Sequence, residues 1–341
     1  MNRNRKSKRK IILVLAITII AILLFWLALR FIDSRGLIDE QFGDTGEWGD
    51  DVGPTELMFG DTTYVTDDRI DTYLIMGTDG GGEKVDEEHK GQLADFLALL
   101  IIDNTTEKFG IIQIDRNTMV PMPELAGMDE NGEGFKQQLC LARWYGENEG
   151  QRNDNVVTCV SELFGSLNVD NYYAINMEDM DKVNNAIGGV VVDITTDMTA
   201  VDPEFVKGTS VHLTDDQAEK FLRARMNVGG GTNKERMERQ TQYMQKAYNM
   251  VMDQLRENPE YVNDLYDSLS DVIESEENGS DVSRMANHIV QYESKGILQI
   301  SGKTKVNDTQ EDEVDHEEFY PDQKSIINVP RQIIDLREES E

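Results

Sequence analysis

After a basic start, the chain runs from Ile11 to Leu29 without a charge and with a single hydroxyl, Thr18. A helix rising about 1.5 Å per residue over that run nearly crosses a hydrocarbon core of roughly 30 Å. Trp26 falls near its far end, where an indole suits an interface. A cleaved signal peptide would have an apolar region of about 7–15 residues and then a small-x-small site. Arg30-Phe31-Ile32-Asp33 offers no such site, so the pattern predicts an uncleaved transmembrane helix over 11–32. Arg3, Arg5, Lys6, Lys8, Arg9 and Lys10 precede it and predict a cytoplasmic tail over 1–10. The chain then reads as a single-pass protein of the cell membrane, with everything after the span outside.

Residues 33–68, rich in Gly, Asp and Thr, read as an extracellular linker. A strand follows at Asp71–Gly77. Two apolar runs, Phe96–Ile102 and Phe109–Ile114, flank Asp103-Asn104-Thr105-Thr106-Glu107-Lys108, which has the composition of a turn. A hairpin centred between Thr105 and Thr106 sets Asp95 opposite Arg116, with Asp79 at the end of the preceding strand on the same rim. An acid–base pair across a sheet is also a common structural ion pair. Helices are predicted at Phe135–Tyr145, Val157–Leu167 and Glu178–Ile187, with the polar link Gly146–Asn155 between the first two. Tyr172–Ile175 reads as a short strand, Gly188-Gly189 as a helix stop, and Val190–Ile194 as a buried strand. This alternation predicts an α/β domain over 69–256, a central mixed β-sheet flanked by helices.

Thr214-Asp215-Asp216-Gln217 has the form of a capping box for a helix running to about Arg225. A glycine-rich break at Asn227–Thr232 separates it from a helix over Lys234–Arg256. The remainder, 257–341, reads as an acidic C-terminal extension partly packed on the core. It contains a helix-like piece at Val282–Tyr292 and strand-like pieces at Ile297–Ile300 and Ser325–Val329.

The net charge of -32 changes the range of partners, since such a field repels nucleic acid and anionic surfaces. Cys140 and Cys159 either pair as a disulfide or sit apart as buried thiols, and the sequence leaves both open. Two cysteines are too few for a structural zinc site, and His89, His212, His288 and His316 lack ligand spacing. Against the acidic background, Arg223, Arg225, Lys234, Arg236 and Arg239 gather around one glycine-rich break. Arg236, Arg239 and Gln240 share a face at the start of a helix, whose amides also suit phosphate. Arg223 and Arg225 lie about 200° apart on an ideal helix, so they converge only if the helix ends or distorts there. Guanidinium forks match phosphoryl oxygens, so the cluster with Arg116 suits a pyrophosphate. Some of these arginines would instead satisfy nearby acids. Asp79 and Asp95 are candidate ligands for Mg²⁺, which accepts one or two carboxylates beside water and phosphate. Neither a P-loop nor a Gly-x-Ser-x-Gly nucleophile motif is present.

These segments together resemble the LytR-CpsA-Psr family. Leu74-Ile75-Met76-Gly77-Thr78-Asp79 is similar to its opening strand, Ala94-Asp95 to the Ser-Asp of Arg-Ser-Asp-Thr, and Ile114-Asp115-Arg116-Asn117-Thr118 to Ile-Pro-Arg-Asp-Thr. Ala186-Ile187-Gly188-Gly189-Val190 resembles the Leu-Gly-Gly-Val block. Arg223-Ala224-Arg225 and Arg236-Met237-Glu238-Arg239-Gln240 resemble the paired arginine motifs. The resemblance implies the family's α-β-α fold and transfer of a glycopolymer phosphate from undecaprenyl pyrophosphate to peptidoglycan. It further implies that Asp79 and Asp95 hold Mg²⁺ while Arg116, Arg223 and Arg225 hold the diphosphate, with Arg236, Arg239 and Gln240 extending or bracing that site. The isoprenoid would occupy an apolar tunnel between sheet and helices. Leu93 stands where the family has arginine, Phe96 where it has threonine, Asp115 where it has proline, and Asn117 and Asn233 where it has aspartate. These departures leave room for an alternative, a non-catalytic envelope protein that binds polyprenyl pyrophosphates.

Overall fold

A computed structural model describes residues 54–79, 93–128, 130, 132–214, 216–225, 228–257, 261, 265, 268–275, 292–308 and 315–339. The strands along the chain are β1 (Thr55–Phe59), β2 (Thr62–Thr66), β3 (Ile70–Thr78), β4 (Ala94–Asp103), β5 (Lys108–Ile114), β6 (Met119–Pro121), β7 (Lys136–Gln138), β8 (Asn171–Asn176), β9 (Val191–Asp193), β10 (Ser210–His212), β11 (Ile273–Glu274), β12 (Glu293–Gln299), β13 (Gly302–Asp308), β14 (Asp315–Pro321) and β15 (Arg337–Glu338). The helices named below are α1 (Glu149–Leu163), α2 (Met180–Ala186), α3 (Gln217–Arg223), α4 (Asn233–Glu257) and α5 (Gln323–Asn328). The chain divides into two compact bodies. One comprises 55–177, 232–234 and 294–341, and the other includes 178–231 and 235–293.

The first body is built on strands in the order β8-β3-β4-β5-β12. β3 pairs antiparallel with β4 and parallel with β8, and β4 pairs antiparallel with β5, so this is a mixed sheet. The unbroken apolar runs of β3 and β4 are buried along nearly their whole length, as expected of strands covered on both faces. Leu74, Leu97, Leu99 and Ile112 from the sheet pack with Val156, Val160 and Phe164 of α1. The C-terminal segment adds Ile326, Val329, Ile333, Ile334 and Leu336 to the same core.

The β4–β5 hairpin has the predicted register, with Leu97 opposite Ile114 and Asp103 opposite Lys108. Asp103 holds its turn by accepting the amides of Thr105 and Thr106 at 2.8 and 2.9 Å. On its other edge β4 carries an irregularity. Gly77 faces Phe96 but Thr78 faces Ala94, which leaves Asp95 as one extra residue in a β-bulge. Gly77 is required there, because a Cβ would lie 2.5 Å from Met177 Sδ and 2.9 Å from Phe96 Cβ.

Several local expectations are corrected. Strands β1 and β2 occupy part of the stretch read as a linker. Residues 135–145 form β7 and a 3₁₀ segment, Leu139–Tyr145, rather than one α-helix. Helix α1 begins eight residues before Val157, inside the expected polar link, with the Asn148 side chain capping Gln151 N at 3.0 Å. Ser325–Val329 is not a strand, since most of it lies in α5. The piece at 282–291 lies outside the described residues.

In the second body, β9 and β10 pair antiparallel. The run Val190–Ile194 alternates, with Val190, Val192 and Ile194 buried and Val191 exposed, so it is a half-buried strand rather than a fully buried one. Gly188 and Gly189 take φ of 96° and 81°, a left-handed stop after α2 that favours glycine. Buried Asn184 then donates to Leu213 O at 2.8 Å and accepts Val190 N at 2.9 Å. The Leu-Gly-Gly-Val-like block is thus a folding device. Phe205 and Phe221 meet edge to face at 6.0 Å in the same body.

The mixed sheet with helices stands, but the transmembrane part of the expectation does not carry into the structure. The expected span at 11–32 lies outside the described residues, and among these no helix is long and apolar enough to cross a membrane. The single-pass topology and the cell-membrane placement built on that span are accordingly withdrawn.

Candidate functional site

At the open end of the β4–β5 ladder, Arg116 Nη1 donates to Asp95 Oδ1 at 2.6 Å, the juxtaposition that the hairpin register predicts. Both side chains are largely withdrawn from solvent, at 13% and 10% exposure. Arg116 Nη2 donates to Cys140 Sγ at 3.0 Å. Burial works against the charged guanidinium, but the surrounding Cys140, Asp95 and Asp115 outweigh it and hold Arg116 protonated. Asp79 stands at the end of β3, where its amide donates to Leu93 O at 2.8 Å across the neighbouring strand. This puts Asp79 and Asp95 on adjacent chain segments at one rim of the sheet.

The turn after Arg116 is tied down on several sides. Asp115 Oδ1 accepts the amide of Asn117 at 2.8 Å, and Asp115 O accepts the Thr118 amide and hydroxyl at 3.0 and 2.6 Å. Cys140 N donates to Arg116 O at 3.0 Å and Phe319 N to Asn117 O at 2.8 Å. Asn233, in the same body, donates its amide N–H to Glu317 Oε2 at 2.8 Å and its side-chain amide to Asp115 Oδ1 at 2.5 Å. The Asn233 N–H at the start of α4 is among the amides expected to suit phosphate. An internal carboxylate already engages it.

The remaining arginines belong to the second body. Helix α3 ends at Arg223, and Ala224 leaves it with φ −53° and ψ 125°, so Arg223 and Arg225 are freed from helical spacing. Arg223 Nη1 donates to Glu219 Oε1 at 2.8 Å, and Arg225 Nε donates to Gly231 O at 2.9 Å. Arg236 is buried. Arg239 directs its donors at backbone, Nε to Phe221 O at 2.9 Å, Nη1 to Glu235 O at 3.3 Å and Nη2 to Ala224 O. Gln240 Nε2 donates to Leu222 O at 3.5 Å. Arg239 and Gln240 therefore hold the carbonyl end of α3.

Sequence reasoning missed Cys140, Asp115, Glu317 and Asn233 as members of these networks. The Asp-Arg-Asn-Thr composition signals a turn at 115–118 and could have pointed to Asp115. Nothing local in the sequence announces the contacts of Cys140 or Glu317. Cys140 and Cys159 are both buried and both free, so the disulfide alternative is not realised.

The two aspartates suit Mg²⁺ in donor chemistry, being hard oxygen ligands in the number this ion accepts from protein. Among the described residues no three His, Cys, Asp or Glu side chains group as a metal cage. An ion that keeps most of its water and phosphate ligands does not need one.

The family model described as the LytR_cpsA_psr family matches residues 60–332. The polyisoprenyl-teichoic acid–peptidoglycan teichoic acid transferase TagU of Bacillus mycoides is 28% identical over 185 residues, 54% of each chain. The chain spans about half the length of the curated relatives it matches. TagV of B. subtilis superposes with a TM-score of 0.57 at 21% identity, over 78% of this chain and 96% of that one. TagT bound to LI-WTA gives 0.55 at 17% identity, over 78% and 89%. These structural likenesses speak to the fold, and the model match over most of the sequence shows that the chain belongs to the LytR_cpsA_psr family.

Proposed function

We propose that this chain transfers a glycopolymer phosphate from a polyprenyl pyrophosphate carrier, such as undecaprenyl pyrophosphate, to peptidoglycan. Family membership and the printed activity of TagU support the reaction class. The observation that carries the reading to particular residues is the Asp95–Arg116 pair at a β-bulge, beside Asp79. Bulges re-aim side chains next to active sites. An arginine kept charged beside hard carboxylates is suited to a metal-bound diphosphate.

In this reading Asp79 and Asp95 would hold Mg²⁺, which when bound would neutralise diphosphate charge. Arg116 donates to a phosphoryl oxygen from the edge it does not give to Asp95. Arg223 and Arg225 belong to the second body, where Arg239 and Gln240 hold the backbone that leads to them. The acceptor hydroxyl oxygen forms a bond to the glycan-linked phosphorus, the bridging P–O bond breaks, polyprenyl phosphate departs and the hydroxyl proton goes to solvent. The net charge of -32 gives nucleic acid no place among the substrates.

The test incubates the full chain with a polyprenyl-pyrophosphate-linked glycan, peptidoglycan and Mg²⁺. Linked product and released polyprenyl phosphate are expected, with Asp95→Asn and Arg116→Lys each lowering kcat/KM by about 100-fold or more. A folded chain that yields neither product overturns the reading. Tight carrier binding without turnover would instead favour the non-catalytic binder, which Leu93 in the family's arginine position motivates.

A further inference from the structure

The 3₁₀ segment Leu139–Tyr145 takes no part in the roles given so far, yet it touches Arg116 twice. Cys140 N–H donates to Arg116 O at 3.0 Å, and Arg116 Nη2 donates to Cys140 Sγ at 3.0 Å. One residue thus grips both the backbone and the tip of the arginine. Cys140 itself is fully buried and firmly seated. Leu139 N donates to Thr118 O at 2.8 Å. Arg143, in the same segment and 1% exposed, donates to Glu149 Oε2 at 2.6 Å and to Asn153 Oδ1. The thiol cannot retreat without dragging this network along.

The arrangement divides the guanidinium. Nη1 is given to Asp95 and Nη2 to Cys140, while Nε is buried and has no hydrogen-bond partner among the described residues. A guanidinium carries five N–H donors in a fixed plane, so fixing two of its nitrogens fixes where the rest point.

We infer that Cys140 is a positioning residue for Arg116: its sulfur and backbone amide lock the guanidinium plane and so fix the direction of the N–H donors left for a phosphoryl oxygen. The inference rests on the proposed diphosphate site and names the residue that orients its arginine. Asp95 alone leaves the guanidinium free to pivot about a single hydrogen bond, and the sulfur supplies the second point. Cys140→Ala removes that point with little change in volume. Cys140→Ser keeps an acceptor at the same position.

The experiment uses the full chain and two readouts, binding of geranyl pyrophosphate with Mg²⁺ and the side-chain guanidinium ¹⁵N signals of Arg116. Wild type is expected to show restricted Nη rotation. Cys140→Ala should free that rotation and weaken probe binding by about tenfold in a chain that still melts cooperatively. Cys140→Ser should restore both. If Cys140→Ala and Cys140→Ser both match wild type in rotation and binding, the positioning role is overturned. Should the alanine variant fail to fold, the serine variant decides alone, since a positioning acceptor predicts retained restriction and binding, and their loss in a folded protein rejects it. If wild type does not bind the probe while Cys140→Ala still frees the guanidinium, the orientation stands and the transferase reading falls.

Discussion

Single residues carry more of this structure through acceptance of amides than through charge. Asp115 is the clearest case. Its carboxylate receives Asn117 N at 2.8 Å and Asn233 Nδ2 at 2.5 Å. A carboxylate at 233, as the family often has, would face Asp115 at that distance with no proton between them. The departures at 115 and 233 therefore belong together. Cys159 provides a test of burial. Desolvation first, and the charge of Glu162 second, push its thiol up to about 12. The folded thiol thus keeps its proton where the unfolded one, near 9, has lost it. Stability is expected to be unaffected by this group below about pH 9 and to fall as pH rises beyond it, by up to about 1.4 kcal/mol per pH unit. Urea midpoints at pH 7, 9 and 10 check this, and Cys159→Ala should flatten the alkaline decline.

At the level of elements, the end of α3 shows how the fold spends its arginines. The last turn of a helix leaves carbonyls without intrahelical partners, and Arg239 with Gln240 supplies donors to those of Phe221, Leu222 and Ala224. Arg239→Ala leaves these buried acceptors short and should destabilise the protein by about 2–4 kcal/mol, seen as a lower urea midpoint. A merely ligand-binding arginine would leave that midpoint nearly unchanged. Charge spacing alone could gather Arg239 with its neighbours but could not show that its donors turn inward to backbone. The same contrast runs through the elements generally. The β4–β5 register was legible because the turn at 103–108 marks its own centre. The 3₁₀ segment was not, since apolar spacing at 139–145 fits either helix type. Ile326, Ile327 and Val329 suggested a strand by their β-branching, but the turn of chain from Asp322, whose carbonyl receives Ser325 N and Ile326 N, starts a helix.

For the molecule as a whole, the C-terminal segment belongs to the structure of the first body. It contributes Ile326, Val329, Ile333, Ile334 and Leu336 to the core, each 9% exposed or less. At about 1.5–3 kcal/mol for a fully buried aliphatic side chain, their loss approaches the net stability of a domain. A chain ending at 256 is therefore expected to melt without a cooperative transition, as followed by circular dichroism, whereas one ending at 339 should melt like the full chain. The site was legible to the extent that it follows from strand register, which gave Asp95 and Arg116. Contacts such as Asn233 with Glu317 join positions far apart in the chain, and no local pattern encodes them.

The extra residue in β4 has a bearing on how the strand tolerates editing. Side chains in a strand alternate between faces, so the ladder on one side of Asp95 runs out of phase with the ladder on the other. Excising Phe96 would restore an even count and swing the carboxylate of Asp95 to the opposite surface, away from the guanidinium. The pairing of Leu97 through Asp103 with β5 would survive intact. Such a deletion separates having the fold from having the chemistry.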